Sequence, residues 1–410
     1  IDCSAFYPAV EPFYGEGNIP FIRVQNVKEV IDYNDCVNIP QLPSEQYSTL
    51  KKVESGDIVI TKGGSIGFVG YITQESYACR DLIFIKSSIL SEEQSVFLYL
   101  YFSTDFAYKQ LIRSSSQCAQ PHLTITLVKN IDILKVSPML MKECAILYSH
   151  FRQKYLASNA LYKEAEQLLL KELRISELIQ TTNSIANKRF SDFVNSGRLD
   201  AEYYQPKYDE IIGTISQYPY GHDKIGNLYI LRDKNFLPND NTRYKYIELS
   251  DIGVNGEISG CTYEYGSNLP SRARRIVHAG DIIISSIEGS LQSCAIITEE
   301  YDGALCSTGF YVLSPRIINS ETSLVLFKSS AIQALLKRAC TGTILTAMNK
   351  DEFTAINLPV INKDIQNKIA DIIRQSTILR SKSKHLLKIA KTAVETAIEQ
   401  GEYAAMGLFN

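Results

Sequence analysis

The chain has 410 residues, 45% of them hydrophobic, with a formal net charge of −3 and a pI near 6.1. Its length predicts roughly two or three domains, and its apolar content excludes a chain dominated by disorder. The acidic balance counts against a protein basic over its whole surface, yet a local patch can still bind phosphates.

The chain opens at Ile1 rather than Met, as a piece of a longer protein would. No basic-then-apolar signal segment follows, and no apolar run reaches the length of a membrane span. Up to about Val136, short apolar runs are broken by Gly, Pro and Asn. Phe21 to Val24, Asp57 to Ile60, Phe68 to Ile72 and Leu82 to Ile85 predict strands. Ser95 to Ser114 predicts one amphipathic helix with Val96, Leu100, Phe106 and Leu111 on its core face. A strand is expected near Thr124 to Val136. Ser137-Pro138 then opens a long helix, because Ser is a good N-cap and Pro suits the first helical position.

The organisation expected is a first α/β domain over residues 1–136 and a long helix over 137–180. A connector over 181–221 contains Asn183-Ser184 and the run Arg198 to Tyr208. A second α/β domain over 222–359 and a second long helix over 360–400 follow, the latter capped by Asn362. A tail over 401–410 is expected to fray. The second helix carries apolar and small residues at Ile365, Ile369, Ile372, Ser376, Leu379, Ser383, Leu386, Ala390, Ala393 and Ala397. Spacings of four and three alternate, the pattern of a helix packed lengthwise on another. At 225 residues earlier stand Leu140, Cys144, Leu147, Phe151, Lys154, Ser158, Leu161, Ala165, Leu168 and Glu172, the same seam weakened at Lys154 and Glu172.

The same offset recurs through both domains. Ile22 to Val27 aligns with Ile247 to Ile252, and Gly64-Ser65 with Gly289-Ser290, at 225 residues. Gly56-Asp-Ile-Val-Ile60 aligns with Gly280-Asp-Ile-Ile-Ile284 at 224, so one residue is inserted between the blocks. Phe102 meets Phe327, Arg113 meets Arg338, and Ile131 to Leu134 meets Ile356 to Pro359. A period this long describes two copies of one domain-plus-helix unit rather than a solenoid. Core positions persist and polar ones change: Arg23 and Gln25 become Glu248 and Ser250, and Thr61 to Gly64 becomes Ser285 to Gly289.

Catalytic constellations are absent from the motifs. There is no phosphate loop, dinucleotide fingerprint or nucleophile elbow. Lys62-Gly63-Gly64-Ser65 reads better as a tight hairpin loop. His122, His150, His222, His278 and His385 have no metal-ligand spacing, and Glu92-Glu93 and Glu299-Glu300 read as solvated turns. The nine cysteines are odd in number, scattered and without a C-x-x-C pair, which argues for reduced thiols in a cytoplasm and against a zinc site. Basic and amide side chains, which anchor phosphates and read base edges, are the better signal. In the first copy these are Arg23, Gln25, Asn26, Lys28, Lys62, Arg80, Arg113, Gln117, Gln120 and His122. In the second they are Arg243, Lys245, Arg272, Arg274, Arg275, Arg338 and Lys350, beside the polar loop Thr341-Gly-Thr343. The expected DNA-binding set is Arg23, Gln25, Lys62, Arg113, Gln117, Lys245, Arg272, Arg274, Arg275, Arg338 and Thr343. For Arg272 to Arg275 the competing reading is a solvated loop before a strand. For Arg113 and Arg338 it is a structural ion pair.

In these residues and their repeat, the chain resembles the specificity (S) subunit of type I restriction–modification systems over nearly all its length. The carriers are the Gly-Asp-Ile blocks, the Ser65-Ile-Gly67 turn, Thr341-Gly-Thr343, the Arg198-to-Tyr208 connector, and Leu358-Pro-Val-Ile361 leading into Gln366-Asn-Lys-Ile-Ala370. The resemblance implies an α+β protein with two tandem α/β target-recognition domains. Two long antiparallel coiled-coil-like helices would separate them in a pseudo-twofold internal repeat. It implies readout of a bipartite double-stranded DNA target, without catalysis by this chain. Two modification (methyltransferase) subunits that bind S-adenosylmethionine and methylate adenine would dock on it, and restriction subunits would join. The first copy lacks the residues that match about Arg198 to Arg243, which points to a shortened N-terminus. Two alternatives stand beside this one: the recognition region of a single-chain methyltransferase–nuclease, and a protein-binding scaffold.

Overall fold

The computed structural model describes residues 1–114, 122–174, 185–342 and 346–409. The chain divides into two compact units, residues 1–155 with 381–410, and residues 156–380.

The first unit holds β1 (Asp2–Cys3), β2 (Ile19–Ile22), β3 (Val37–Ile39), β4 (Lys52–Val53), β5 (Ile58–Thr61), β6 (Val69–Tyr71), β7 (Ser76–Ala78) and β8 (Leu82–Ile85). They form two four-stranded sheets, β1-β8-β5-β6 and β3-β2-β7-β4. β2 and β7 run parallel, with Phe21 opposite Tyr77, and the remaining pairs are antiparallel. Alternation along β5 decides which layer each side chain enters. Val59 joins Phe21, Ile22, Tyr77 and Phe84 in one core, while Ile58 and Ile60 join a second core built with helices. A strand buried on both faces reads as the unbroken apolar run seen here.

The second unit repeats this plan. It holds β9 (His222–Lys224), β10 (Tyr229–Leu231), β11 (Arg243–Ile247), β12 (Thr262–Tyr265), β13 (Ala273–Ile276), β14 (Ile282–Ser285), β15 (Cys294–Ile296), β16 (Leu305–Ser307), β17 (Phe310–Pro315), β18 (Cys340–Thr341), β19 (Ala347–Met348) and β20 (Asn357–Pro359). Its four-stranded sheets are β10-β17-β14-β15 and β12-β11-β16-β13, the same order shifted by nine strands, with β11 and β16 the parallel pair, and β18-β19 and β20-β9 form two-stranded sheets beside them. Ile283 faces the other sheet and Ile282 and Ile284 face helices, as in the first unit. β1 occupies the place of β10, and the ladders set Asp2 at the place of Arg232, so the residues without a counterpart end near Ile230 rather than at Arg243.

The Gly-Asp-Ile blocks have a shared mechanical cause. Gly56 and Gly280 sit at φ +95 and +86, where a side chain is strained. The next residue, Asp57 or Asp281, is 2% exposed or less. Each carboxylate accepts the backbone N–H three residues earlier, from Glu54 or His278, at 2.9 Å. Each also takes a cation, Lys86 at 2.9 Å or Arg232 at 3.2 Å.

Helices follow the sheets. The single helix expected over 95–114 is two, α1 (Glu92–Phe102) and α2 (Asp105–Ser114). Ser91 caps α1 through Gln94, and the Thr104 hydroxyl accepts from Ala107 and restarts the chain as α2. Glu92 and Glu93 therefore lie in a helical first turn, where the helix dipole favours them. The strand expected near 124–136 is instead α3 (Ile125–Lys129), started by the Thr124 hydroxyl on Leu127 N–H, then a stretch outside any helix or sheet.

In chain order there follow α4 (Pro138–Leu173), α5 (Phe190–Ser196), α6 (Pro206–Ser216), α7 (Ile225–Leu228), α8 (Ser320–Lys328), α9 (Ser330–Arg338), α10 (Lys350–Ala355), α11 (Lys363–Gln400) and α12 (Glu402–Met406). The α8–α9 break repeats the α1–α2 break. The Asn183-Ser184 part of the connector lies outside the described residues.

The long helices pair within each unit. In the first, Leu140, Cys144 and Phe151 of α4 share a core with Leu387, Ala390, Val394 and Ala397 of α11. In the second, Ala165 and Leu169 share one with Ile369 and Ile373. Early α4 meets late α11 and late α4 meets early α11, so the helices run antiparallel. Ser376 donates to the Ser158 carbonyl at 2.8 Å.

The buried seam is shifted by one residue from the expected one at Ile373, Arg380 and Leu387, whereas Ala393 of the expected seam is fully buried beside Val394. It runs through Ile369, Ile373, Ser376, Arg380, Ser383, Leu387, Ala390, Val394 and Ala397 on α11. On α4 it runs through Cys144, Tyr148, Phe151, Ser158, Tyr162, Ala165 and Leu169. Lys154 and Glu172 fall outside it, and Glu172 instead accepts the Tyr218 hydroxyl at 2.7 Å.

Within the tail expected to fray, residues 402–409 are helical. Ala405 is fully buried, and the Glu402 carboxylate accepts the Ser137 backbone N–H at 3.0 Å and its hydroxyl. An acidic group is thereby held at the N-terminus of α4, where the helix dipole favours negative charge.

Candidate nucleic-acid interface

In the first unit, Arg23 and Gln25 share one tight turn. Val24–Asn26 forms a single 3₁₀ turn after β2, closed by Asn26 Oδ1 accepting the Arg23 N–H at 3.0 Å. Gln25 is exposed at its tip, while Arg23 is half-buried with its guanidinium 5.7 Å from the Tyr14 ring centre. The buried Nε of Arg23 has no hydrogen-bond partner among the described residues. Lys62 leaves β5 half-buried, its backbone bonded to Asp81 and Leu123. Arg113 is exposed on the last turn of α2. Gln117, Gln120 and Thr343 lie outside the described residues.

In the second unit, the basic residues separate into different roles. Arg272 is exposed and pairs with Glu248 at 3.3 Å. Arg274 and Arg275 stand on strand β13 rather than in a loop. The Arg274 Nε donates to the Ser271 carbonyl at 2.8 Å. Arg275 lies opposite Cys306, whose side chain faces the core between the sheets. Its Nε and one terminal nitrogen are buried without a partner among the described residues, so Arg275 turns inward. Lys245 on β11 donates to the Glu300 carbonyl at 2.7 Å, its amine 5.3 Å from the Tyr301 ring centre. Burial pushes the Tyr301 phenol up to about 12, so it stays neutral.

Arg338 is not an exposed contact. Its Nε donates to the Tyr203 carbonyl at 3.1 Å, and its guanidinium stacks 4.2 Å from the Tyr203 ring centre. Neighbouring Arg198 forks onto Asp200 at 2.6 and 2.7 Å and donates to the Cys340 carbonyl at 3.1 Å. That Arg198 bond holds the Asp200 carboxyl below its ordinary range. The connector motif is thus a clasp on the end of α9.

Two residues were not picked out from the sequence. Tyr263 and Tyr265 on β12 are exposed, and Arg243 of β11 lies over both rings. Their signal was the alternation in Thr262-Tyr-Glu-Tyr265, which puts both rings on one face.

These surfaces offer fixed donors and cations rather than activated groups. Burial raises the Cys36, Cys79 and Cys340 thiols to about 11 and those of Cys144 and Cys294 to about 12, far from nucleophilic thiolates. Among the described residues, no group of His, Cys, Asp and Glu is placed to hold a metal ion. No described helix is long and apolar enough to cross a membrane.

A family model described as the type I restriction modification DNA specificity domain matches residues 5–134 and 225–388. No curated protein matches the chain. Three solved structures, each 13% identical, are similar. A type I restriction–modification S subunit from M. genitalium covers 96% of this chain and 91% of its own, with a TM-score of 0.43. A structure described by complex assembly and conformational transition of the type I R-M system covers 93% and 92%, at 0.31. The HsdS subunit from Thermoanaerobacter tengcongensis covers 93% and 90%, at 0.30.

Proposed function

The chain belongs to the type I restriction–modification DNA specificity family, and from that premise we propose that it reads a bipartite double-stranded DNA target, one half per unit. The observation that carries this reading is one scaffold built twice with different polar faces. The order of the two four-stranded sheets repeats strand for strand, while Arg23 and Gln25 are replaced by Glu248 and Ser250 at equivalent positions. Two unlike faces on one scaffold suit an asymmetric site.

In this reading the chain has no catalysis of its own. Two modification subunits dock on it, bind S-adenosylmethionine and methylate adenine, restriction subunits join the assembly, and the complex works in the cytoplasm. Arg23, Gln25, Lys62 and Arg113 serve the first half-site, and Lys245, Arg272 and Arg274 the second. Arg275 and Arg338 support the framework.

The deciding experiment maps methylated adenines in DNA from cells carrying this chain with its modification partner. The expected result is one two-part sequence with an unread gap of fixed length. A methylation pattern indifferent to the presence of this chain would defeat the reading.

A further inference from the structure

We propose that Arg243, Tyr263 and Tyr265, exposed at the edge of the β12-β11-β16-β13 sheet, grip the sugar–phosphate backbone of duplex DNA beside the second half-site. This rests on the DNA-reading function above.

The array follows from strand register. β11 and β12 pair antiparallel, with Arg243 opposite Tyr265 and Lys245 opposite Tyr263. Alternation puts all four side chains on one face. The Arg243 guanidinium lies 4.5 Å from the Tyr265 ring centre and 5.6 Å from that of Tyr263. The two tyrosines are 41% and 57% exposed respectively. Arg243 is exposed as well, and no described carboxylate pairs with it.

The fold does not require this array. The first unit builds the same strand pair, β2 with β3, and there Pro20 stands opposite Asn38. The 225-residue offset puts Asn18, Pro20, Asn38 and Pro40 where the second unit has Arg243, Lys245, Tyr263 and Tyr265. The sheet forms in both, so the cation and the rings are additions to it. Exposed aromatics on an edge strand also invite unwanted pairing, a liability that an edge normally avoids.

The chemistry points to phosphate. Arg and Tyr both donate to phosphate oxygens, and such contacts position a protein on a duplex without reading its bases. Stacking on two rings restrains the guanidinium, so less freedom is lost when a phosphate binds. Base faces within a duplex are covered by their neighbours, which leaves the backbone as the partner for this face. The chain's net charge of −3 gives the unpaired cation added weight as a local anion site.

The test uses the full chain assembled with its modification subunits. Binding to cognate and unrelated duplexes is measured over a salt series for wild type, Arg243→Ala, Arg243→Lys and Tyr265→Ala, and methylation sites are mapped in parallel. Arg243→Ala is expected to lose about tenfold in affinity for both duplexes, and the slope of log affinity against log salt falls by about one. Arg243→Lys restores the slope, Tyr265→Ala weakens binding with the slope retained, and the methylated sequence is unchanged. Should Arg243→Ala fail to fold, Arg243→Gln provides the same comparison. Wild-type affinity and slope in Arg243→Ala, or a changed target sequence, overturns the assignment. A wild type without sequence preference instead removes the DNA-reading function on which the assignment rests.

Discussion

At the scale of single residues, the same side chain does opposite things according to where the backbone aims it. Arg338 and Arg243 are both arginines in the second unit, and both lie against tyrosine. Arg338 has its Nε on the Tyr203 carbonyl and its face on the Tyr203 ring, inside the clasp formed by the connector. Arg243 lies over two exposed rings. Replacing Arg338 by Ala is expected to destabilise the second unit by about 1–2 kcal/mol, through the lost hydrogen bond and cation–π contact. The salt dependence of DNA binding should stay the same. Urea unfolding and a salt titration read the two quantities separately, and a slope reduced by about one would return Arg338 to the DNA interface. Residue type made Arg338 and Arg275 look alike as DNA ligands in the sequence. What distinguishes them is direction, which depends on the Arg275–Cys306 register and on the connector folding back, both set by distant chain. Asp57 and Asp281 were more legible, since Gly before a buried Asp at a strand start is a local geometric need.

At the scale of elements, period was legible and phase was not. The heptad alternation identified both long helices, but apolar residues stand side by side at Ile372-Ile373, Leu386-Leu387 and Ala393-Val394. Two seams one residue apart therefore fit the same sequence. Packing selects the one containing Ile373 and Leu387, buries Ala393 and Val394 alike, and leaves Lys154 and Glu172 off the seam. It places Arg380 inside, where it is 5% exposed, bonded to Asn159 and 3.8 Å from Glu257. A buried arginine is tolerated when its charge is paired in this way. Leu387 is 1% exposed, so Leu387→Ala is expected to cost about 2–4 kcal/mol. Leu386→Ala should cost clearly less, because Leu386 is only half-buried. Equal losses in thermal or urea unfolding would mean that the seam has no preferred phase. The α1–α2 break and the start of α3 were hidden for a different reason. Each depends on one hydroxyl, Thr104 or Thr124, capturing a backbone N–H, and propensity summed over a window cannot see a single cap.

At the scale of the whole molecule, duplication made the scaffold legible, because core residues recur at an offset of 224–225 in the two copies. The polar faces were not legible, because nothing in packing constrains them to match. This division suits a specificity chain: the repeated part sets the frame, and the unrepeated part sets what is read. The long helices belong to the frame. α4 has 36 residues and α11 has 38, lengths of about 54 and 57 Å at ~1.5 Å per residue. If these lengths fix the gap between half-sites, removing one heptad from both helices shortens the rise by about 10 Å, or about three base pairs at ~3.4 Å each. The seam is preserved, since a whole heptad returns each residue to its phase. Methylation mapping of the shortened chain is therefore expected to show a gap reduced by about three base pairs, with both half-sites intact. A changed half-site with an unchanged gap would mean that the helices influence what is read rather than how far apart, and the separation of frame from face would be lost.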